Sequence, residues 1–169
     1  QDFGEIVQNY STANAIEESN VQPVAWCLDA WSLGADGVIP WQTIGTEESW
    51  KKADALALFY PGGLAGSAEP LPSARLKAFR RGQQDVEYLT LLARVAEKDR
   101  RLVASSVRRR LALDPRSAQK NSDDAGTLAY PSVLPEDLWR LRIAVGSTLD
   151  RAKPPPRDRV MTEAEVMRL

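Results

Sequence analysis

The sequence predicts an α/β fold, because two short apolar runs with strand character each lie next to a segment with helical character. Residues 37–41 form the first run, which is β-branched and follows a segment whose apolar residues recur at helical spacing. Residues 55–60 form the second run, which ends at the Pro-Gly-Gly turn 61–63. A helix, a glycine turn and a buried strand in succession are typical of α/β proteins.

The first helix is expected to begin near Asn14, a candidate N-cap, with a second possible start at Pro23. One face of this helix is apolar, and its members are Val24, Cys27, Leu28 and Trp31. The strand at residues 37–41 is predicted to be buried. Pro40 indicates a strand end or a sheet edge, because proline cannot donate to the ladder.

A long helix that begins near Pro72 is the most distinctive part of the sequence. Its apolar face comprises Leu76, Phe79, Val86, Leu89, either Leu92 or Ala93, and Ala96. Gly82 lies inside this helix, where glycine costs about 1 kcal/mol relative to alanine. We therefore expect another backbone to pack closely against Gly82.

Four charged residues predict a network that holds the long helix against the rest of the fold: Arg75, Arg81, Asp85 and Glu87. Arg81 and Asp85 are four residues apart, a spacing at which charges on a helix can pair. Glu87 points in a different direction. Arg75, in the first turn, can bind backbone carbonyls or an acid elsewhere.

Two more helices are predicted in the second half of the chain. One spans residues 100–113, and the other begins at Pro135. A flexible linker is expected near 116–134, because its first part is rich in Ser, Asn, Asp and Gly. For the tail, residues 154–169, disorder and a docking helix both remain open.

The composition excludes several classes of site. The chain has no histidine, which rules out a Ser-His-Asp centre or a histidine-containing metal site within it. The single cysteine, Cys27, cannot form an internal disulfide, and we expect it to be a small buried apolar residue. The net charge of −1 gives no whole-chain preference for nucleic acid, and no apolar run approaches the ~20 residues that cross a membrane. The sequence thus predicts no cofactor, metal, nucleic-acid partner or membrane partner, and it does not indicate a compartment.

The charges are unevenly distributed. Residues 1–60 carry nine acids and two bases, whereas residues 94–116 carry three acids and eight bases. Such a basic run is usually a solvated helix face. Docking of an acidic partner is the alternative.

Three residues are candidates for contacts with a ligand: Trp41, Gln42 and Trp50. An indole offers an apolar face that suits a sugar ring, together with an N–H donor. A role in the core is equally open for Trp41. Gln42 can offer its amide to a hydroxyl group, and Trp50 stands in a polar loop, where a core role is less expected.

The carboxylates do not predict a catalytic centre. Asp36 and Asp54 each precede a strand, where a turn role is expected, and Glu47 and Glu48 are weak loop candidates. A two-carboxylate hydrolase needs two acids at a fixed separation across a pocket. Nothing in the sequence places such a pair, so we predict no catalytic residue.

Several motifs together resemble one known family. They are FYPG at 59–62, PSARLKAFRRG at 72–82, QDVEYL at 84–89 and GADGVIPWQ at 34–42. They resemble the end of the catalytic domain of glycoside-hydrolase-family-123-like proteins, a region often known only as a domain of unknown function. The resemblance implies the C-terminal portion of a (β/α)₈ TIM-type barrel over residues 1–98, followed by a helical extension over 99–153.

The resemblance also implies a function. The characterised relatives are hexosaminidases in which the acetamido group of the substrate attacks, assisted by an Asp-Glu pair on an earlier strand. This sequence has no such pair on a strand, so the catalytic acids would lie in a missing N-terminal barrel portion. The resemblance thus implies a fragment that contacts a carbohydrate through Trp41 and closes the barrel, and an amino sugar is one candidate. The alternatives are a non-catalytic carbohydrate-binding or scaffold module and a helical protein-interaction module.

Overall fold

The fold is mixed α/β, as the sequence predicts. The structure is a computed structural model, and it describes residues 4–13, 15, 18–51, 57–114, 116–118 and 127–152. The elements, in chain order, are β1 (Gln8–Ser11), α1 (Val21–Ser32), β2 (Gly37–Pro40), β3 (Phe59–Tyr60), β4 (Leu71–Pro72), α2 (Ala74–Val95), α3 (Arg100–Leu111), β5 (Arg116–Ala118), β6 (Thr127–Ala129) and α4 (Pro135–Arg151). Two short 3-10 helices cover Glu47–Trp50 and Gly63–Ala65. The described strands form three two-stranded sheets.

The first sheet is a parallel βαβ unit. Strands β1 and β2 pair in parallel, with Tyr10 opposite Ile39, and helix α1 is the crossover that parallel strands require. The indole N–H of Trp26, on α1, donates to Asn9 Oδ1 at 2.7 Å, so one face of the sheet rests on the helix. Tyr10 and Ile39 are exposed on the other face. The prediction of a buried strand is therefore wrong for this face, because no described element covers it.

Helix α1 is the centre of the molecule. It begins at Val21, close to the second start that the sequence offered, and it is buried from Gln22 to Trp31. Burial on all sides follows from its position, since it contacts α2, α3 and the first sheet. The predicted apolar face is therefore only part of the buried surface, which also includes Asp29.

Helix α2 packs against α1 at the predicted glycine. The helix begins at Ala74, because Pro72 belongs to β4 and Ser73 is the N-cap, whose Oγ accepts from Leu76 N at 3.3 Å. A Cβ placed on Gly82 would lie 2.9 Å from Cys27 Sγ and 3.1 Å from Val24 Cα. The close approach that the sequence predicted at Gly82 is confirmed.

The second sheet contains only part of the second predicted strand. Strand β3 pairs antiparallel with β4, and Ile44 forms an isolated parallel bridge to Phe59. Residues 52–56 lie outside the described residues, and so does Asp54.

The helical extension shares its core with the first half. Helix α4 begins at Pro135, as predicted, and Leu138 and Leu141 enter the same hydrophobic cluster as Trp26 on α1. The range predicted as a linker contains the antiparallel strands β5 and β6, together with the buried Tyr130. That described part is thus folded against α1. Residues 119–126 and the tail 154–169 lie outside the described residues.

Candidate functional site

Trp41 stands just beyond the C-terminal end of β2, and the residue is 52 % exposed. Its backbone N–H donates to Ser11 O at 3.0 Å, which extends the parallel ladder by one residue. Its ring meets the ring of Tyr10 edge to face, with centroids 5.7 Å apart. Trp41 is therefore a supported surface aromatic and not a core residue. Gln42, next in the chain, is half-buried.

Trp50 is held at a second position by the 3-10 helix Glu47–Trp50. The side chains of Thr46 and Ser49 form a capping box at the start of this helix. The indole N–H of Trp50 donates to Pro61 O at 2.8 Å, and its ring lies 5.0 Å from that of Tyr60. Because the N–H is already bonded, Trp50 offers a ligand mainly its ring.

A cleft of about 490 Å³ lies beside Trp50. Tyr60 and Arg75 line it together with Glu18 and Asn20. Arg75 is buried, and its Nη2 donates to the Tyr60 hydroxyl at 2.8 Å. The predicted network residue Arg75 thus supports the aromatic wall of the cleft.

The predicted ligand-contacting residues occupy two separate places. Trp50 lines the cleft beside β3 and β4, whereas Trp41 stands with Tyr10 on the exposed face of the first sheet. Neither Trp41 nor Gln42 is among the described residues that line the cleft. The structure therefore offers two aromatic surfaces and does not join them into one pocket.

The described acids have structural roles or are exposed. Asp36 accepts from Val7 N at 2.9 Å and donates its own N–H to Val7 O at 2.7 Å, so it continues the pairing of β1 with β2 by one residue. Glu47 is exposed, and Glu48 pairs with Lys51 at 2.7 Å. Across the described ranges there is no group of three acidic, Cys or His side chains that could hold a metal ion.

The charged network on α2 has a partner that the sequence did not predict. Arg142 of α4 donates to both oxygens of buried Asp85, at 2.7 and 2.8 Å. The expected partner, Arg81, stays 3.9 Å away, beyond hydrogen-bond distance. Glu87 is exposed and forms no ion pair with any residue that the structure describes. The network thus joins α2 to α4 through Arg142.

A second buried network, centred on Asp29, was missed at the level of sequence. Arg108 of α3 pairs with Asp29 Oδ1, and the Tyr130 hydroxyl donates to Asp29 Oδ2 at 3.1 Å. Burial, followed by the nearby Asp29 charge, raises the pKa of Tyr130 far above its ordinary value. This network fastens α3 and the residue after β6 to α1. Its sequence signal is an acid, Asp29, next to Leu28 of the apolar face of α1.

Arg100 holds the C-terminal end of α1. Its Nη2 donates to Trp31 O at 2.7 Å and to Ala35 O at 2.8 Å, and its guanidinium lies 5.0 Å from the Trp31 ring centroid. A cation at this position also complements the helix dipole. Two arginines of the basic segment, Arg100 and Arg108, therefore stabilise the fold.

Cys27 has the role that the composition suggested. Burial, with a smaller contribution from Asp85, raises the pKa of its thiol to about 12. The group is a neutral thiol at physiological pH, which fits its contact with Gly82 and excludes a reactive thiolate.

No protein-family model, curated protein or solved structure matches this chain. The α/β class is therefore defined by the βαβ unit and the helices around it. Within the described ranges, none of the helices is both long and apolar enough to cross a membrane.

Proposed function

We propose that this chain is the C-terminal part of a carbohydrate-binding (β/α)₈ barrel protein of the glycoside-hydrolase-family-123-like type. In that protein it contributes aromatic contacts to the sugar and closes the barrel, while the catalytic acids belong to the preceding portion. The exposed, supported indole of Trp41 beyond the end of β2 is the observation that carries the proposal.

The orientation of the first sheet supports the barrel. In a (β/α)₈ barrel the helices lie outside, and the opposite face of each strand points inward. Helix α1 covers one face of β1 and β2, and Tyr10 and Ile39 project from the other. These two side chains would fill the barrel interior, and further parallel strands would cover them.

The position of the aromatics supports carbohydrate as the ligand. Barrel sites lie at the C-terminal ends of the strands. Trp41 follows β2 of the parallel sheet, whereas Trp50 is bonded to the residue after β3, which belongs to a separate sheet. The exposed ring of Trp41 at such an end suits the apolar face of a sugar ring, and Trp50 offers a second exposed ring elsewhere on the surface.

A fluorescence titration with N-acetylglucosamine tests the proposal. We expect quenching in the wild-type chain and affinity about ten-fold weaker in Trp41→Ala, because a ring-stacking contact is lost. Trp139→Ala is the matched control, since Trp139 lies on α4 and is similarly exposed, at 59 %. The absence of quenching, or equal affinity in Trp41→Ala and the wild type, would argue against a sugar role.

The exposed basic face of α3 favours protein interaction as a second candidate function. Arg101, Arg109 and Arg110 are exposed and form no ion pair with a described residue. Leu102 is also exposed on this helix. Acidic peptides that bind this face should dissociate as salt is raised, because exposed charges are screened. Association that does not respond to salt would count against this candidate.

A further inference from the structure

We propose that the groove between α2 and α4 binds a small monocarboxylate with an apolar chain. The groove has a volume of about 280 Å³. Its apolar wall consists of Leu89, Leu141, Val145 and Leu149. Such a wall suits an alkyl chain, and a few polar groups at the rim fix the orientation of a ligand.

The charges at the groove select a carboxylate. Asp85 is buried and already receives two hydrogen bonds from Arg142. Arg81 also lines the groove, yet its Nε stays 3.9 Å from Asp85, and it forms no hydrogen bond with a described residue. Arg81 is therefore a second cation beside a carboxylate whose two oxygens each already accept a hydrogen bond from Arg142. Its planar set of donors matches a carboxylate group.

The negative charge of Asp150 in the groove limits the ligand to one carboxylate. Asp150 lines the groove near the end of α4, where it is exposed. A dicarboxylate would bring its second charge into the same groove as this acid. Gly146 leaves room for the chain, because no heavy atom lies within 4 Å of the position that its Cβ would occupy.

Calorimetric titration with octanoate tests this site. We expect saturable binding to the wild-type chain and affinity about ten-fold weaker in Arg81→Gln, because a charge-assisted contact is lost. Arg80→Gln is the control, since Arg80 is exposed on the same helix and does not line the groove. Octanol lacks the carboxylate and suberate carries a second one, so both should bind more weakly than octanoate.

A blocking variant tests the location independently of charge. Gly146→Leu should abolish octanoate binding by filling the groove, and the melting temperature should not fall, because the new side chain enters open space and leucine favours a helix. Failure of octanoate to saturate the wild-type chain, or equal affinity in the wild type and Arg81→Gln, would overturn the proposal.

Discussion

Arg142 of α4 donates two hydrogen bonds to the buried carboxylate of Asp85 on α2, from Nε to Oδ1 at 2.7 Å and from Nη2 to Oδ2 at 2.8 Å. Removal of Arg142 would leave the buried charge of Asp85 with Arg81, 3.9 Å away, as its nearby cation and without a hydrogen-bonded one. The pair therefore contributes to the docking of α4 on α2.

Arg142→Met should lower the free energy of unfolding by up to about 3 kcal/mol, because buried Asp85 loses its bidentate partner and keeps only the more distant Arg81. Arg140→Met is the control on the same helix, since the Arg140–Asp137 pair is exposed, and it should change stability by less than about 1 kcal/mol. Urea denaturation measures both. Equal losses of stability in the two variants would contradict the claim that the Asp85–Arg142 pair stabilises the fold more than an exposed ion pair does.

Alanine substitutions at the two helical glycines, Gly82 and Gly146, should change the stability of the chain in opposite directions. Gly82→Ala should destabilise the chain by about 1–3 kcal/mol, because the new methyl group would meet Cys27 and Val24 at 2.9–3.1 Å. Gly146→Ala should stabilise it by up to about 1 kcal/mol, since its Cβ meets no atom within 4 Å. Thermal or urea unfolding reports both, and a stabilising Gly82→Ala would contradict the close approach of α1 and α2.

Cys27 predicts a loss of stability at alkaline pH. Its thiol pKa rises from 9.0 to about 12 on folding, so above pH 9 the unfolded chain releases the proton first. The contribution of Cys27 to the free energy of unfolding is therefore complete below pH 9. It is lost as pH rises toward 12, at about 1.4 kcal/mol per pH unit. The stability of Cys27→Ala should fall less steeply over this window. If the stabilities of the wild type and Cys27→Ala fall equally with pH over this window, the raised pKa of Cys27 is refuted.

The local elements could be predicted from the sequence, because apolar spacing and caps act over a few residues. The start of α4 at Pro135, the end of β2 at Pro40 and the close packing at Gly82 follow from such signals. Asp29 and Asp85 could not be paired in this way. Their arginine partners lie 79 and 57 residues away, and no local spacing encodes contacts at that distance.

The candidate site was predictable only in its residue types. The sequence indicated Trp41, after a strand, and Trp50, in a polar loop, as candidate ligand contacts. The exposure of their side chains could not be predicted, because it depends on which elements cover the strands. The barrel, the sugar and the missing portion remain predictions, whereas the parallel βαβ unit with one uncovered face is a structural finding.

The most direct measurement of the central claim follows the five tryptophan indole N–H signals by NMR during titration with N-acetylglucosamine. Trp26 and Trp31 are buried internal references, bonded to Asn9 and Thr90. We predict that the signal of Trp41 shifts in a saturable manner while those of Trp26, Trp31 and Trp139 stay in place. A stationary Trp41 signal, or an equal shift of Trp139, would contradict the proposal that Trp41 contacts carbohydrate.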